Sequence, residues 1–272
     1  MQNLLKDPYN YASALSTPNL VILLQDLSDK YYNTDQPLVS DNVYDSLIEV
    51  LKTKDPKNKF LKTTGAPVSK NMVHLPYPMP SLDKLKEEKA ISKWKEKYEG
   101  PYVISEKIDG VAALIYKDEN GKLTMYSRGE CDKGQDISHL LKYVLDGSVK
   151  TEKMEKKTAI RGELVISKED FGKLQGYKNA RNAVAGLVNC KTVEKRLPLA
   201  KSTKFLAHAL IYPEMDAMDQ FETMKKLGFQ VVYNKASHDI TMEELSELLL
   251  ERREGSDYKT DGLVVVDSQK FY

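Results

Sequence analysis

The residues of this 272-residue chain best suited to chemistry centre on Lys107-Ile108-Asp109-Gly110, set between the apolar runs PYVISEK and VAALIYK. A lysine at a strand end, with a tight turn behind it, can present its amine in a cleft. Only the unprotonated amine is a nucleophile, and an ordinary lysine holds its proton until about pH 10.4. A site using such a lysine has to favour the neutral form by desolvation or by neighbouring cations. The amine can then attack a phosphorus atom and form a phosphoramidate. Taken alone, this short motif reads equally well as a β-turn with solvated charges. Its company shifts the balance: Arg128-Gly129, Arg161-Gly162-Glu163, and Asp261-Gly262 before the apolar run Leu263–Val266. Arginines grip phosphates through paired hydrogen bonds. A glutamate can accept from ribose hydroxyls, and an aspartate near the lysine can orient it or help hold a metal ion.

Those side chains need a frame. From residue 101 the pattern predicts short strands: PYVISEK, VAALIYK, KLTMYSR, TAIRGELVIS, KFLAHALIYP, FQVVYN and YKTDGLVVVD. Asn120-Gly121 between the second and third is a hairpin signal. Helices are predicted from Ser167, through NARNAVAGLV, over Met215–Leu227 up to Gly228, and from Thr241, where Glu244 completes a capping box, to near Gly255. The expected class is α+β: antiparallel sheets flanked by helices, preceded by a small helical domain. In that domain Thr17-Pro18 opens a helix that places Leu20, Leu23, Leu24, Leu27 and Tyr31 on one face. A second starts with Ser40 as N-cap, carries Val43, Leu47, Val50 and Leu51 inward, and stops at Pro56. A stretch from Gly65 to Pro80 holds Pro67, Pro76, Pro78 and Pro80, and the domain boundary is placed near its start, giving 1–66 and 67–272. A helix with Leu85, Ile91 and Trp94 follows it.

Composition limits the partners. Lysine plus arginine number 41 and aspartate plus glutamate 40, a net charge of +1. A large DNA-wrapping surface would demand a strongly basic balance, so any firm DNA grip needs a local patch or another domain. Cys131 and Cys190 are too few for a four-cysteine zinc site or a disulfide framework. No apolar run or signal pattern suggests a membrane or export, and the expectation is a cytoplasmic, intracellular protein.

The N-terminal helices carry a second candidate site. Asp41, Tyr44 and Asp45 share one helical face, with Tyr31 and Tyr32 at the end of the preceding helix. Tyrosine rings can stack on a flat cation, and carboxylates complement its charge and neighbouring hydroxyls. The same residues would also serve as an acidic first turn that favours the helix dipole, with half-buried tyrosines.

The spacing around Lys107 is similar to that of the covalent nucleotidyltransferases. Over almost its full length the chain resembles the N-terminal half of NAD⁺-dependent DNA ligases. The segments KYYNTDQPLVSDNVYDSLIEVL, HLPYPMPSLDKL, SRGECDKGQDIS and YKNARNAVAG carry the likeness. The resemblance implies a ligase adenylation fold, related to ATP-grasp, behind a domain that binds the nicotinamide mononucleotide (NMN) half of NAD⁺. It implies that Lys107 attacks NAD⁺, forms ligase-AMP and releases NMN, as the first step in sealing nicked duplex DNA. Asp109 would orient or assist the lysine, and Asp261 would lie near it and near the metal. Arg128 and Arg181 would contact phosphates and ribose, and Glu163 the AMP ribose. Ser81, Leu82 and Glu106 would approach the cofactor, Arg253 would match a family arginine, and His208 would stack on adenine. Tyr31, Tyr32, Asp41, Tyr44 and Asp45 would bind NMN. NAD⁺ is the implied cosubstrate, with Mg²⁺ held mostly by phosphates and water and no residue assigned as a metal ligand.

Departures from the family pattern bear on activity. Ser105 stands where a glutamate is usual, with Glu106 one step away; Asn189 replaces an arginine, and Val266 a lysine. The family's last lysine motif and its oligonucleotide-binding, zinc-finger, helix-hairpin-helix and BRCT modules have no counterpart here. The chain alone is therefore not expected to seal nicks, and a C-terminal ligase half or second subunit would be needed. Two alternatives stay open: an ATP-dependent nucleotidyltransferase such as an RNA ligase, and a catalytically impaired NAD⁺- or AMP-binding module.

Overall fold

The computed structural model describes residues 2–33, 38–62, 72–129, 132–190 and 192–270, without the side chains of residues 2, 3, 31–33, 41, 42 and 62. The expected boundary at 66/67 and Cys131 lie outside the described residues. Helices α1 (Gln2–Lys6), α2 (Pro8–Ala14), α3 (Thr17–Asn33) and α4 (Asp41–Lys54) come first. Leu20, Leu24, Leu27, Leu47, Val50 and Leu51 gather into a core of their own with Leu4 and Ala12. The 3.6-residue period of α3 and α4 turns these apolar positions to one side. Ser40 holds the N-cap position of α4 with extended backbone, but its hydroxyl makes no capping hydrogen bond. Lys54 instead ties this unit together, donating to the carbonyls of Ser13 and Leu15 at 2.6 Å each.

Strand β1 (Met72–His74) and helix α5 (Glu88–Lys95) follow. Leu85, expected in that helix, lies before it and is exposed. Then come β2 (Tyr102–Ile108), β3 (Val111–Lys117), β4 (Leu123–Arg128), β5 (Lys133–Asp136), α6 (Leu141–Val144), β6 (Ala159–Ile166), α7 (Lys168–Gly172), α8 (Ala180–Val188), α9 (Leu197–Ser202), β7 (Thr203–Tyr212), α10 (Ala217–Lys226), β8 (Asn234–Ser237), α11 (Met242–Gly255) and β9 (Thr260–Asp267). One six-stranded sheet runs β1-β5-β4-β3-β6-β7 and a three-stranded sheet runs β8-β2-β9. All their strand pairs are antiparallel. This is the α+β arrangement expected from the sequence.

The differences are local. FQVVYN forms no regular strand; Val231 makes an isolated parallel bridge to Ala207, and pairing with β2 begins only at Asn234. The short strands β1 and β5 were not foreseen, because three or four residues carry too little alternation to register. Asn120-Gly121 does turn the β3–β4 hairpin, but within a wider loop. Asp118 accepts the amides of Asn120 and Lys122 on its carboxylate at 2.9 and 2.8 Å, and Gly121 alone of the pair has a positive φ. The side chain does there what a second left-handed residue would do in a two-residue turn. Gly228, at φ +87°, ends α10 where an added Cβ would lie 2.0 Å from the carbonyl oxygen of Ser148.

The faces of the larger sheet divide the work. One face packs Ala113, Ile115, Ile160 and Leu164 against α8 and α10 in the main core. The other sets Ala112, Leu114 and Tyr116 against Leu75, Tyr77 and Met79 of the proline-rich segment.

Candidate active site

The backbone fixes where Lys107 points. It lies in register with Gly262 on β9, next to a break in pairing between Lys107 and Ile108. Its ammonium donates to Asp261 Oδ2, the residue just before Gly262. Both side chains are close to half exposed. The turn that follows is compact: the amide of Asp109 donates to the Lys259 carbonyl at 2.8 Å. A Cβ on Gly110 would stand 2.5 Å from the Leu164 carbonyl oxygen, so this position requires glycine. Burial works to raise Asp261, but the Lys107 ammonium, with Lys259 and Lys84 adding to it, holds the carboxylate below its ordinary range.

Asp109 is largely buried and faces other cations. Arg181, in the first turn of α8, reaches one oxygen at 3.2 Å and Lys259 the other at 2.6 Å. The direct carboxylate partner of Lys107 is thus Asp261, while Asp109 holds Arg181 and Lys259 in place. Helix α8 begins where Asn179 accepts the Asn182 amide at 2.8 Å, and this cap sets the direction of Arg181. Asn189, at the other end, donates to the Ala185 carbonyl at 3.0 Å and so completes the helix terminus.

On the face of the larger sheet that carries Ala112, Arg128 and Glu163 flank that small residue, since Ala113 opposes Ser127 and Ala112 opposes Glu163. Arg128 donates to Ser81 Oγ at 2.7 Å, while Leu82 beside it is exposed. Glu163 Oε2 and Arg161 Nε are buried without a partner, and the Arg161 guanidinium donates to the Pro78 carbonyl at 2.6 Å. A buried carboxylate oxygen left unpaired costs free energy that a donor would recover. The arrangement suits a hydroxyl-bearing ligand.

Desolvation raises Glu163 to about 7, against the opposing pull of Arg181 and Lys107. Because the folded value lies above the ordinary 4.5, stability is greatest below about pH 4.5 and is lost as pH rises through about 7. Glu163→Gln should therefore stabilise the free protein at pH 8 by about 2 kcal/mol, discounted for the part of the side chain that reaches water, and by almost nothing at pH 4. Urea unfolding at the two pH values checks this; the same difference at both would remove the linkage.

His208 sits where β7 slips against β6: Arg161 opposes Ala209 and Gly162 opposes Ala207, so His208 is the extra, bulged residue. Burial, helped by the Arg161 charge, lowers it to about 4, which leaves a neutral ring at neutral pH. Strand periodicity could not reveal such a bulge, which re-aims the side chain.

Glu106 departs from its expected place. Successive residues of β2 point to opposite faces, so Glu106 faces away from Lys107. It is buried against Arg252 Nε at 2.7 Å and Ser256 Oγ at 3.3 Å, with the Arg252 guanidinium 4.4 Å above the Tyr233 ring. Ser105 and Val266, which oppose Val264 and Val103, lie in rows on the face that carries Lys107. Arg253 is exposed and reaches the Asp261 carbonyl at 3.4 Å. On α4, Tyr44 is half-buried against the N-terminal core and Asp45 lies 3.5 Å from Lys84. The side chains of Tyr31, Tyr32 and Asp41 lie outside those described. Lys259 stood out in the sequence only as one of several basic residues, with Arg128, Arg181 and Lys270, that could make up for the missing lysines, and Lys84 did not stand out at all, since a surface lysine carries no distinguishing pattern.

A family model of the NAD-dependent DNA ligase adenylation domain matches residues 58–272. The chain belongs to that family. A DNA ligase of Acanthamoeba polyphaga mimivirus is 38% identical over 245 residues, covering 89% of this chain and 38% of that protein. A putative DNA ligase of Invertebrate iridescent virus 6 is 31% identical over 270 residues, covering 95% and 42%. The adenylation-domain chain thus spans about two fifths of the length of these relatives. Among solved structures, the ATP-dependent DNA ligase of bacteriophage T7 in complex with ATP aligns with a TM-score of 0.43 and 19% identity, over 67% of this chain and 61% of that one. No described helix is long and apolar enough to cross a membrane.

Proposed function

We propose that this chain is the NAD⁺-reading, self-adenylylating part of a DNA ligase, with Lys107 as the nucleophile. The observation that carries the reading is the Lys107–Asp261 pair, with its charge felt by Glu163, whose buried Oε2 has no hydrogen-bond partner. The neutral Lys107 amine forms a bond to the adenylyl phosphorus, the bond from phosphorus to the bridging oxygen breaks, and the electron pair leaves on NMN. Two protons leave the nitrogen, one from the Lys107 ammonium before attack and one after the new bond forms, and each passes by way of Asp261 to water. Asp261 aims the amine, Asp109 holds Arg181 and Lys259 at the phosphates, Glu163 accepts a ribose hydroxyl and Arg128 adds positive charge. The His208 ring faces the base. Residues 1–66 act as the NMN-binding unit and 67–272 as the adenylation unit. Asp109 and Asp261 are already engaged by cations, so Mg²⁺ would be held mostly by the phosphates and water, where it would offset their charge. Passing AMP to a 5′-phosphate and sealing nicked duplex DNA are activities of the whole ligase, for which this chain supplies the first step.

Mixing the chain with NAD⁺ and Mg²⁺ should add one AMP to its intact mass and release NMN. Release of pyrophosphate from ATP in place of NMN would favour the ATP-dependent alternative, and no adduct from either would favour a binding module. Asp41→Ala and Tyr44→Ala should lower the rate with NAD⁺ by roughly one to two decades, the range for losing one charge-assisted hydrogen bond, and leave AMP binding unchanged. Equal loss of both would mean general unfolding.

A further inference from the structure

Departure of NMN places growing negative charge on its phosphate, and a preorganised cation there lowers the barrier. Three cations of the site are engaged: Arg181 and Lys259 hold Asp109, and Arg128 donates to Ser81. The rows of β9 beside Lys107 offer only the apolar Val264 and Val266. Lys84 comes from a different direction, in the segment between Met79 and α5. Its Nζ lies 3.5 Å from Asp45 Oδ2 on α4, while its charge reaches Asp261, the partner of Lys107. With 68% of its side chain exposed, this ammonium can change partners at little desolvation cost. It therefore pairs with the N-terminal helix while its charge acts on the partner of the reacting lysine, a placement between the two halves that a dinucleotide would present.

We propose that Lys84 is the cation that receives the phosphate of the departing mononucleotide. In the free protein Asp45 occupies it. When NAD⁺ enters, the phosphate displaces Asp45 and frees that carboxylate for the nicotinamide ribose hydroxyls. As the phosphorus–oxygen bond to NMN breaks, the electron pair settles on an oxygen that Lys84 contacts. This rests on the adenylylation reading above, but its test does not need turnover.

Binding of NMN to the full chain is measured by calorimetry for the wild type, Lys84→Met and Lys84→Arg. Lys84→Met should weaken NMN about tenfold, the low end for a charge-assisted bond at an exposed ammonium, and Lys84→Arg should restore most of it. AMP binding should not change. Where the wild type forms the AMP adduct, Lys84→Met should also slow its formation from NAD⁺ and its discharge by NMN by a similar factor. NMN affinity within twofold of wild type in Lys84→Met, or no NMN binding by the wild type, overturns the assignment. Lys84-dependent NMN binding in a chain that forms no adduct supports it while overturning the catalytic reading.

Discussion

Lys107→Ala is expected to leave no detectable AMP adduct while the protein stays folded. The substitution removes the atom that bonds to phosphorus, and two nearby amines are engaged elsewhere: Lys259 with Asp109, and Lys84 with Asp45 in the free protein and with the leaving phosphate when NAD⁺ is bound on the reading above. The stability cost is small because the Lys107–Asp261 pair is close to half exposed on both sides, and such pairs contribute about 0–1 kcal/mol. Asp261, left alone, is rehydrated. The measurement is incubation with NAD⁺ labelled in its adenylate, followed by peptide mapping, with a melting curve alongside. An adduct mapped to a different lysine, or one that persists in Lys107→Ala, would defeat the assignment of the nucleophile.

Arg252→Ala is expected to destabilise the fold by about 3 kcal/mol or more, the range for removing one partner of a buried ion pair. The Glu106 carboxylate is 3% exposed and has Arg252 as its charged partner, with Ser256 as a weaker donor. Without the guanidinium a buried charge is left uncompensated, and the contact with the Tyr233 ring is lost as well. Urea unfolding measures the loss. Replacing both partners with apolar residues, Glu106→Leu with Arg252→Met, should recover most of it, since desolvation of the pair consumes much of its attraction. Arg253→Ala serves as the control: its exposed side chain makes one long hydrogen bond to a backbone carbonyl, and its removal should change stability by less than about 0.5 kcal/mol. Equal effects at 252 and 253 would show that Glu106 does not depend on its partner. Because Glu106 adjoins Lys107 on β2, the Arg252 variant also tests whether this anchor steadies the nucleophile.

Much of this protein was legible in its residue order. The 3.6-residue period of Leu20, Leu24, Leu27, Leu47 and Leu51 marked two amphipathic helices, and the runs at 101–107, 111–117 and 258–267 marked strands to within two residues of their ends, because burial of one face or both is a local property of the pattern. Lys107, Arg128, Glu163 and Asp261 could be named because their residue types and neighbouring glycines carry the chemistry in a few adjacent letters. What the order could not say is which charges meet. Asp109, two residues from Lys107, turns to Arg181 and Lys259, whereas Asp261, more than 150 residues away, becomes the partner of the lysine. Glu106, adjacent to Lys107, points the opposite way into a pair with Arg252. The register of β2 against β9, the bulge at His208 and the approach of Lys84 to Asp45 depend on how distant strands and helices pack. Electrostatic partnership is decided by distance through space, and distance through space is set only when the sheets and helices come together.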